Sequence, residues 1–304
     1  MAGFQVLLIA GTHGNEINAP WLFDQWSKKP DLIKTNGTNI IKVLGNELAY
    51  KKGVRYLDRD LNRSFRSDLL FSSNGGEREV DRAKELIQMY GTNGLEPCQM
   101  AIDFHTTTAS MGNSLVIYGR RNVDLALASL FQSCLGVPIY LHEDDFNENG
   151  FLVESWPCGL VVEIGPVSQN LLQANICKKI KTNLNTLFES ITLLRDGDSN
   201  LPKEIVIHRH IGSIDFPRDE KGHPEALVHD SLQGKDWQLI RKGDALFQRL
   251  DGRILTFQAC EEAWPVFINE AAYLEKNIAM SITKRETWSI NKEWFDELRT
   301  LCRH

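Results

Sequence analysis

The run from Phe4 to Ala10 ends in Gly11-Thr12-His13-Gly14-Asn15-Glu16, and this junction limits the fold more than any other part of the chain. A short apolar run reads as a buried strand. Gly11 and Gly14 permit the sharp turn that must follow it, and Asn15–Lys28 has the pattern of a helix. A strand that feeds straight into a helix starts an α/β sheet. In such sheets ligands sit at the carboxyl ends of strands, where His13 and Glu16 stand. An imidazole and a carboxylate make up two-thirds of a catalytic zinc set, which takes three protein ligands and leaves a position for water.

His105 is the candidate third ligand. Met100 to Phe104 reads as a second buried strand with His105 at its end, and Thr106-Thr107-Thr108 and Gly112 turn the chain there. Asp103 lies two residues earlier, on the same side of an extended chain. It is placed to accept the second N–H of a metal-bound imidazole. One strand-end histidine alone is commonly a loop residue bonded to backbone. Here there are two, each with a carboxylate nearby.

The first two hundred residues alternate strands with amphipathic helices, as expected of an α/β fold. Predicted strands are Phe4–Ala10, Asn39–Leu44, Met100–Phe104, Ser114–Tyr118, Ile139–Leu141 and Leu160–Ile164. Predicted helices are Asn15–Lys28, Glu77–Tyr90, Asp124–Cys134 and Asn175–Leu194. The last sets Ile176, Ile180, Leu184, Leu187, Ile191 and Leu194 on one face. Ser67 to Gly76 reads as an exposed loop. Asp196 to Pro202 reads as a turn-rich linker. Beyond it come short runs, Glu204–His210, Ala245–Arg249, Arg253–Phe257 and Trp264–Ile268, which read as strands. Two domains are therefore expected: residues 1–200, carrying the metal site, and residues 201–304, smaller and mainly β.

With 304 residues the chain can bury a sizeable core. Its net charge of −6 argues against a nucleic-acid partner held by general electrostatics. A small anionic substrate remains compatible, because a few arginines reverse the field inside a cleft. No apolar stretch is long enough to span a membrane, so no membrane partner is expected. The N-terminal run has no charged region before it and is not read as a signal peptide. The six cysteines form no Cys-x-x-Cys pair, which suggests reduced thiols and a cytoplasmic location. A homo-oligomer is compatible with the sequence but not specified by it.

Six segments in order give the chain a family resemblance. They are Gly-Thr-His-Gly-Asn-Glu at 11–16, Arg-Tyr-Leu-Asp-Arg-Asp-Leu-Asn-Arg at 55–63 and Asp-Phe-His-Thr-Thr-Thr at 103–108. Val-Glu-Ile-Gly-Pro at 162–166, Asp-Phe-Pro-Arg-Asp-Glu at 215–220 and Pro-Val-Phe-Ile-Asn-Glu-Ala-Ala-Tyr at 265–273 follow. Together they resemble the aspartoacylase family, zinc-dependent amidohydrolases related to the metallocarboxypeptidases and grouped with the succinylglutamate desuccinylases. The resemblance implies a carboxypeptidase-like mixed sheet with flanking helices. It also implies one zinc ion on His13, Glu16 and His105, and hydrolysis of N-acetyl-L-aspartate or a related N-acyl amino acid. Glu163, which ends the apolar run Leu160-Val161-Val162, would be the general base that later serves as acid. Desolvation at a strand end would raise its pKa toward that task. Arg55 would polarise the scissile carbonyl and steady its oxyanion. Asn62, Arg63 and Tyr273 would bind the α-carboxylate. Arg59 and Arg66 are expected to be structural, since a charged run is usually a solvated face.

The chain departs from the family at one point. Animal aspartoacylases carry an arginine about ten residues before the catalytic glutamate, where it binds the aspartate side chain. This chain has none between Arg121 and Glu163, and His142 is the basic residue nearest that place. A deacylase of N-acyl aromatic or other neutral amino acids is therefore an alternative. A peptidase is another, and a non-catalytic metal-binding protein on the same fold is the reading from a different class. His208 and His210 share one side of a predicted strand but have no carboxylate or cysteine to complete a metal set. His223, His229 and His304 read as surface residues.

Overall fold

A computed structural model describes residues 3–71, 76–143, 149–197 and 201–303. In chain order the elements are β1 (Gln5–Ala10), α1 (Asn18–Lys28), β2 (Asn39–Leu44), α2 (Glu47–Lys52), α3 (Ser67–Leu70), α4 (Arg78–Tyr90) and β3 (Met100–Thr106). Then come β4 (Asn113–Tyr118), α5 (Asn122–Leu135), β5 (Ile139–His142), β6 (Cys158–Ile164), α6 (Ala174–Asp196) and β7 (Glu204–Ile214). The chain ends with β8 (Leu227–Val228), β9 (Ala245–Gln248), β10 (Ile254–Thr256), β11 (Trp264–Val266), β12 (Met280–Ser289) and α7 (Lys292–Arg303).

Nine strands form one mixed sheet in the order β11-β12-β7-β5-β4-β6-β3-β1-β2. The block β6-β3-β1-β2 is parallel, and β4 turns antiparallel to β6. β5 and β7 then run parallel to β4. The sheet thus continues past residue 200, because β7, β11 and β12 extend it, while β8, β9 and β10 make a separate three-stranded sheet.

Strand alternation sorts the core into two layers. Val6, Leu8 and Ala10 of β1 and Ile102 and Phe104 of β3 bury against the helical side, where α6 adds Ile176, Ile180, Leu184, Leu187, Ile191 and Leu194. All six of these α6 residues are fully buried, as their spacing predicts. The opposite face carries Leu7, Ile9, Ala101, Val116, Tyr140 and Val161. Asp103 and His105 of β3 and Glu163 of β6 share the parity of Ala101 and Val161, so they project on this second face.

Helix α1 starts at Asn18, three residues later than expected. The turn is spent on Gly14, where a Cβ would lie 2.2 Å from the Ala49 carbonyl carbon and the Tyr50 nitrogen. Within the predicted loop 67–76, Ser67–Leu70 forms one helical turn and residues 72–75 lie outside the described residues. Sequence periodicity did not anticipate β12 or α7. The six cysteines are unpaired, and no described helix is long and apolar enough to cross a membrane.

Candidate metal and substrate site

His13 leaves the end of β1 on the Gly11–Glu16 turn, and His105 lies near the end of β3, the neighbouring strand. Their Nδ1 atoms face one another at 3.1 Å. Glu16 lies between them, with Oε1 2.6 Å from His13 Nδ1 and Oε2 3.2 Å from His105 Nδ1. All three side chains are buried, and their donor atoms lie within 4.8 Å of one another. Each ring is anchored through its other nitrogen. His13 Nε2 donates to Asp60 Oδ1 at 3.0 Å, and His105 Nε2 donates to Asp103 Oδ2 at 2.7 Å. Thr12 Oγ1 supports Asp103 from 2.9 Å.

With both outer nitrogens used as donors to carboxylates, both Nδ1 atoms present lone pairs to each other and to Glu16. Three converging acceptors repel unless a metal ion or a proton sits among them. Two imidazoles and a carboxylate, each held by an outer partner, are a donor set suited to Zn²⁺. The residues therefore fit a divalent metal, which would be held by His13, Glu16 and His105.

The electrostatics agree with this geometry. Burial alone would raise the Glu16 pKa, but the two imidazoles outweigh it and hold the carboxylate well below its ordinary value. For His105 burial acts downward, and Asp103 and Glu16 reverse it to leave the ring strongly basic. Asp60 is likewise pushed upward by burial, then pulled well below the usual carboxylate range by His13, Arg55 and Arg63.

Asp60 lies within the charged run 55–66, where no local spacing marks it as part of a site. It caps a short 3₁₀ turn, Leu61–Arg63, through its contact with Asn62 N at 2.9 Å. It also pairs with Arg63 at 2.7 Å and Arg55 at 3.3 Å. One carboxylate thus ties the ring of His13, a candidate metal ligand, to both arginines. Arg55 is also fixed through its backbone, since Gly14 N donates to Arg55 O at 3.0 Å. The loop between is pinned by buried Glu79 of α4, which accepts from the backbone N–H groups of Leu57, Asp58 and Arg59. Arg59 pairs outward with Glu77 and Arg66 with Asp68, away from the pocket.

Glu163 is the register neighbour of His105 across β3 and β6. Burial drives its pKa well above the ordinary glutamate value, and Glu16 and Glu270 add to the rise, against His105 and Arg55. His13, Glu16, Arg55, Asn62, Arg63, His105, Glu163 and Tyr273 all line one pocket of about 110 Å³. His208 is elsewhere, packed against Trp237 and Trp264. Its pKa is pushed down to about 4, mainly by burial.

Glu270 also lines the pocket and was not singled out from sequence. Its Oε2 accepts from Thr107 Oγ1, from Thr108 N and Oγ1 at 2.8 and 2.9 Å, and from Ala109 N at 3.0 Å. Its Oε1 caps the turn Ala271–Lys276, which carries Tyr273, by accepting from Ala272 N at 3.2 Å. The loop after His105 and the turn bearing Tyr273 are thereby clamped to one side chain. Glu270→Ala would strand these buried donors at about 1–3 kcal/mol each. Thermal unfolding should show a Tm loss of about 10 °C or more, at roughly 2–4 °C per kcal/mol. An unchanged Tm would mean that the clamp contributes nothing.

A helix-flanked mixed sheet with a His-Glu-His cluster at its strand ends is the scaffold of the carboxypeptidase-like hydrolases. Residues 2–191 match the succinylglutamate desuccinylase/aspartoacylase catalytic domain, and residues 203–285 match the AstE/AspA barrel-sandwich hybrid domain. The chain belongs to the succinylglutamate desuccinylase/aspartoacylase family. A "probable aspartoacylase" of Prochlorococcus marinus is 55% identical over 99% of both chains. Another from Synechococcus sp. is 50% identical over 99% of each. The structure of murine aminoacylase 3 superposes with a TM-score of 0.87 at 30% identity, covering 95% of this chain and 98% of that one. Succinylglutamate desuccinylase from Chromobacterium violaceum, at 18% identity and a TM-score of 0.63, shares the fold.

Proposed function

We propose that this chain is a zinc-dependent amidohydrolase that cleaves an N-acyl amino acid, with N-acetyl-L-aspartate as the leading substrate, to a carboxylate and a free amino acid. The observation that carries it is the meeting of a cation-demanding His13–Glu16–His105 set with Glu163 and Arg55 in one small pocket. Names of relatives support it, since curated relatives 50% and 55% identical to this chain are called probable aspartoacylases.

Bound zinc would supply an electrophile that acidifies water and polarises the acyl oxygen. The remaining work falls to side chains. Glu163 takes a proton from the attacking water and returns it to the amide nitrogen as the C–N bond breaks. Arg55 donates to the oxygen that gains negative charge. Its Nε is buried with no acceptor among the described residues, so a donor is already in place. Asn62, Arg63 and Tyr273 receive the α-carboxylate. Arg63 is held over the ring of Phe151 at 5.3 Å, which fixes its plane.

Assay of the purified, metal-loaded chain against a panel of N-acyl amino acids and unblocked peptides tests the reading. Turnover of the acylated amino acids is expected; cleavage of peptides alone would favour a peptidase. Arg63→Ala should lower kcat/KM for every N-acyl amino acid by a similar factor, about ten- to a hundredfold, because a charge-assisted bond to the shared carboxylate is lost. Loss confined to one substrate would contradict that role. The similarity to murine aminoacylase 3 keeps deacylation of other N-acyl amino acids as the second reading.

A further inference from the structure

Glu79, in the first turn of α4, is a buried carboxylate that the proposed chemistry does not use. Its Oε1 accepts from Asn46 Nδ2 at 3.0 Å and from Leu57 N at 2.7 Å. Its Oε2 accepts from Asp58 N at 3.0 Å and from Arg59 N at 3.3 Å. These donors come from two places in the chain. Asn46 caps the start of α2, where its Oδ1 accepts from Ala49 N at 3.1 Å. Leu57, Asp58 and Arg59 come just after Arg55. One side chain thus clasps both ends of residues 46–59, and Arg55 sits inside the clasped segment.

The clasped segment is also joined to the turn that carries His13 and Glu16. Asn46 N donates to Gly11 O at 2.9 Å, and Gly14 N donates to Arg55 O at 3.0 Å. Where Arg55 stands relative to His13 and Glu16 therefore follows from α2 and from the 57–59 backbone, and Glu79 holds both. The far side of the loop has ties of its own. Asp60 caps the turn Leu61–Arg63, and Asn62 Oδ1 accepts from Leu152 N at 3.1 Å. A slackened clasp would thus displace Arg55 more than Asn62. Only a carboxylate offers lone pairs to all of these donors from two oxygens. A carboxamide turns an NH₂ group toward half of them, which strands buried N–H groups.

We propose that Glu79 is a positioning residue for catalysis, which by clasping residues 46–59 holds the Arg55 guanidinium where the acyl oxygen gains charge. This role rests on the N-acyl amino acid reading and adds a residue, remote from the substrate, on which the rate depends. The test uses the full chain at equal zinc loading, on each N-acyl amino acid that the native chain turns over. Glu79→Gln should lower kcat about tenfold or more, since a misplacement of about 1 Å caused far from the chemistry can cost ~10²-fold. The factor should be the same for every substrate and KM should change little, because Arg55 is used as charge develops and not in ground-state binding. A mutational cycle separates this role from mere support of the fold. In an Arg55→Ala background the route to the chemistry is gone, so Glu79→Gln should cost no more than about threefold further. Glu79→Asp keeps the charge on a side chain one methylene shorter and should fall between native and Glu79→Gln; it carries the test if Glu79→Gln does not fold. Near-native kcat in the folded variant, whatever its Tm, overturns the role, as does a loss that multiplies in full on Arg55→Ala. Absence of turnover on every N-acyl amino acid by the unmutated chain would instead overturn the functional reading itself, and this role with it.

Discussion

Replacing His105 by alanine is expected to abolish both metal retention and hydrolysis while leaving the fold intact. The ring is buried at a strand end and makes its contacts within the site, to Asp103, His13 and Glu16. Without it, two donors remain where a catalytic zinc takes three. Elemental analysis should fall from one ion per chain to a small fraction of that. A second readout does not depend on activity. A metal that binds only the folded state stabilises it by about 2.7 kcal/mol at a hundred times its Kd, so added zinc should raise the Tm of the native chain. The His105→Ala chain should lose that increment. Asp103→Asn offers a graded comparison, since loss of an outer-shell partner typically costs ~10–100-fold in metal affinity or activity. Full zinc occupancy in His105→Ala would show that the ion is held elsewhere.

The parts of this site that could be read in the sequence are those built from short-range pattern. His13 and Glu16 are three residues apart on one turn, and each metal-site histidine follows an apolar run that marks a strand. Asp103 was legible because strand alternation puts it on the His105 side. Asp60 was not, since its bond to His13 spans 47 residues and depends on how the 55–63 loop folds back. The neighbourhood of His142 and His210 was hidden for a similar reason. It follows from β7 leaving the C-terminal part of the chain to pair with β5 in the main sheet, an event no local spacing encodes. β12 escaped notice because only its first four residues are buried and the rest are mostly exposed, with charged Lys284, Arg285 and Glu286. α7 is short and largely charged; its buried residues Phe295, Leu298 and Cys302 and the partly buried Trp294 and Leu301 become a core face only on the completed α5–α6 surface.

Glu163→Gln should retain metal and lose most of its turnover. A positioned general base contributes about 10²–10⁴-fold, and the amide cannot accept the proton from water, so kcat should fall by about that factor with KM little changed. The same substitution has a stability signature of opposite direction. Burial beside Glu16 and Glu270 raises the folded-state pKa of Glu163 well above its ordinary value of 4.5. The metal-free folded chain therefore binds this proton more tightly than the unfolded chain does. Its stability from this group is complete below pH ~4.5 and declines as pH rises through the interval up to the raised folded value. At neutral pH the native chain carries a penalty for ionising a buried carboxyl, and glutamine carries none. Metal-free Glu163→Gln should therefore unfold at a higher temperature than the metal-free native chain at pH 7, and the gap should close toward pH 4. The two effects have one cause: the desolvation that tunes the carboxyl to exchange a proton with substrate also makes its ionised form costly to fold. Near-normal kcat in the variant would assign the proton transfer to another group. A variant less stable than the native chain at pH 7 would show that Glu163 is ionised and compensated in the folded state, not held against its burial.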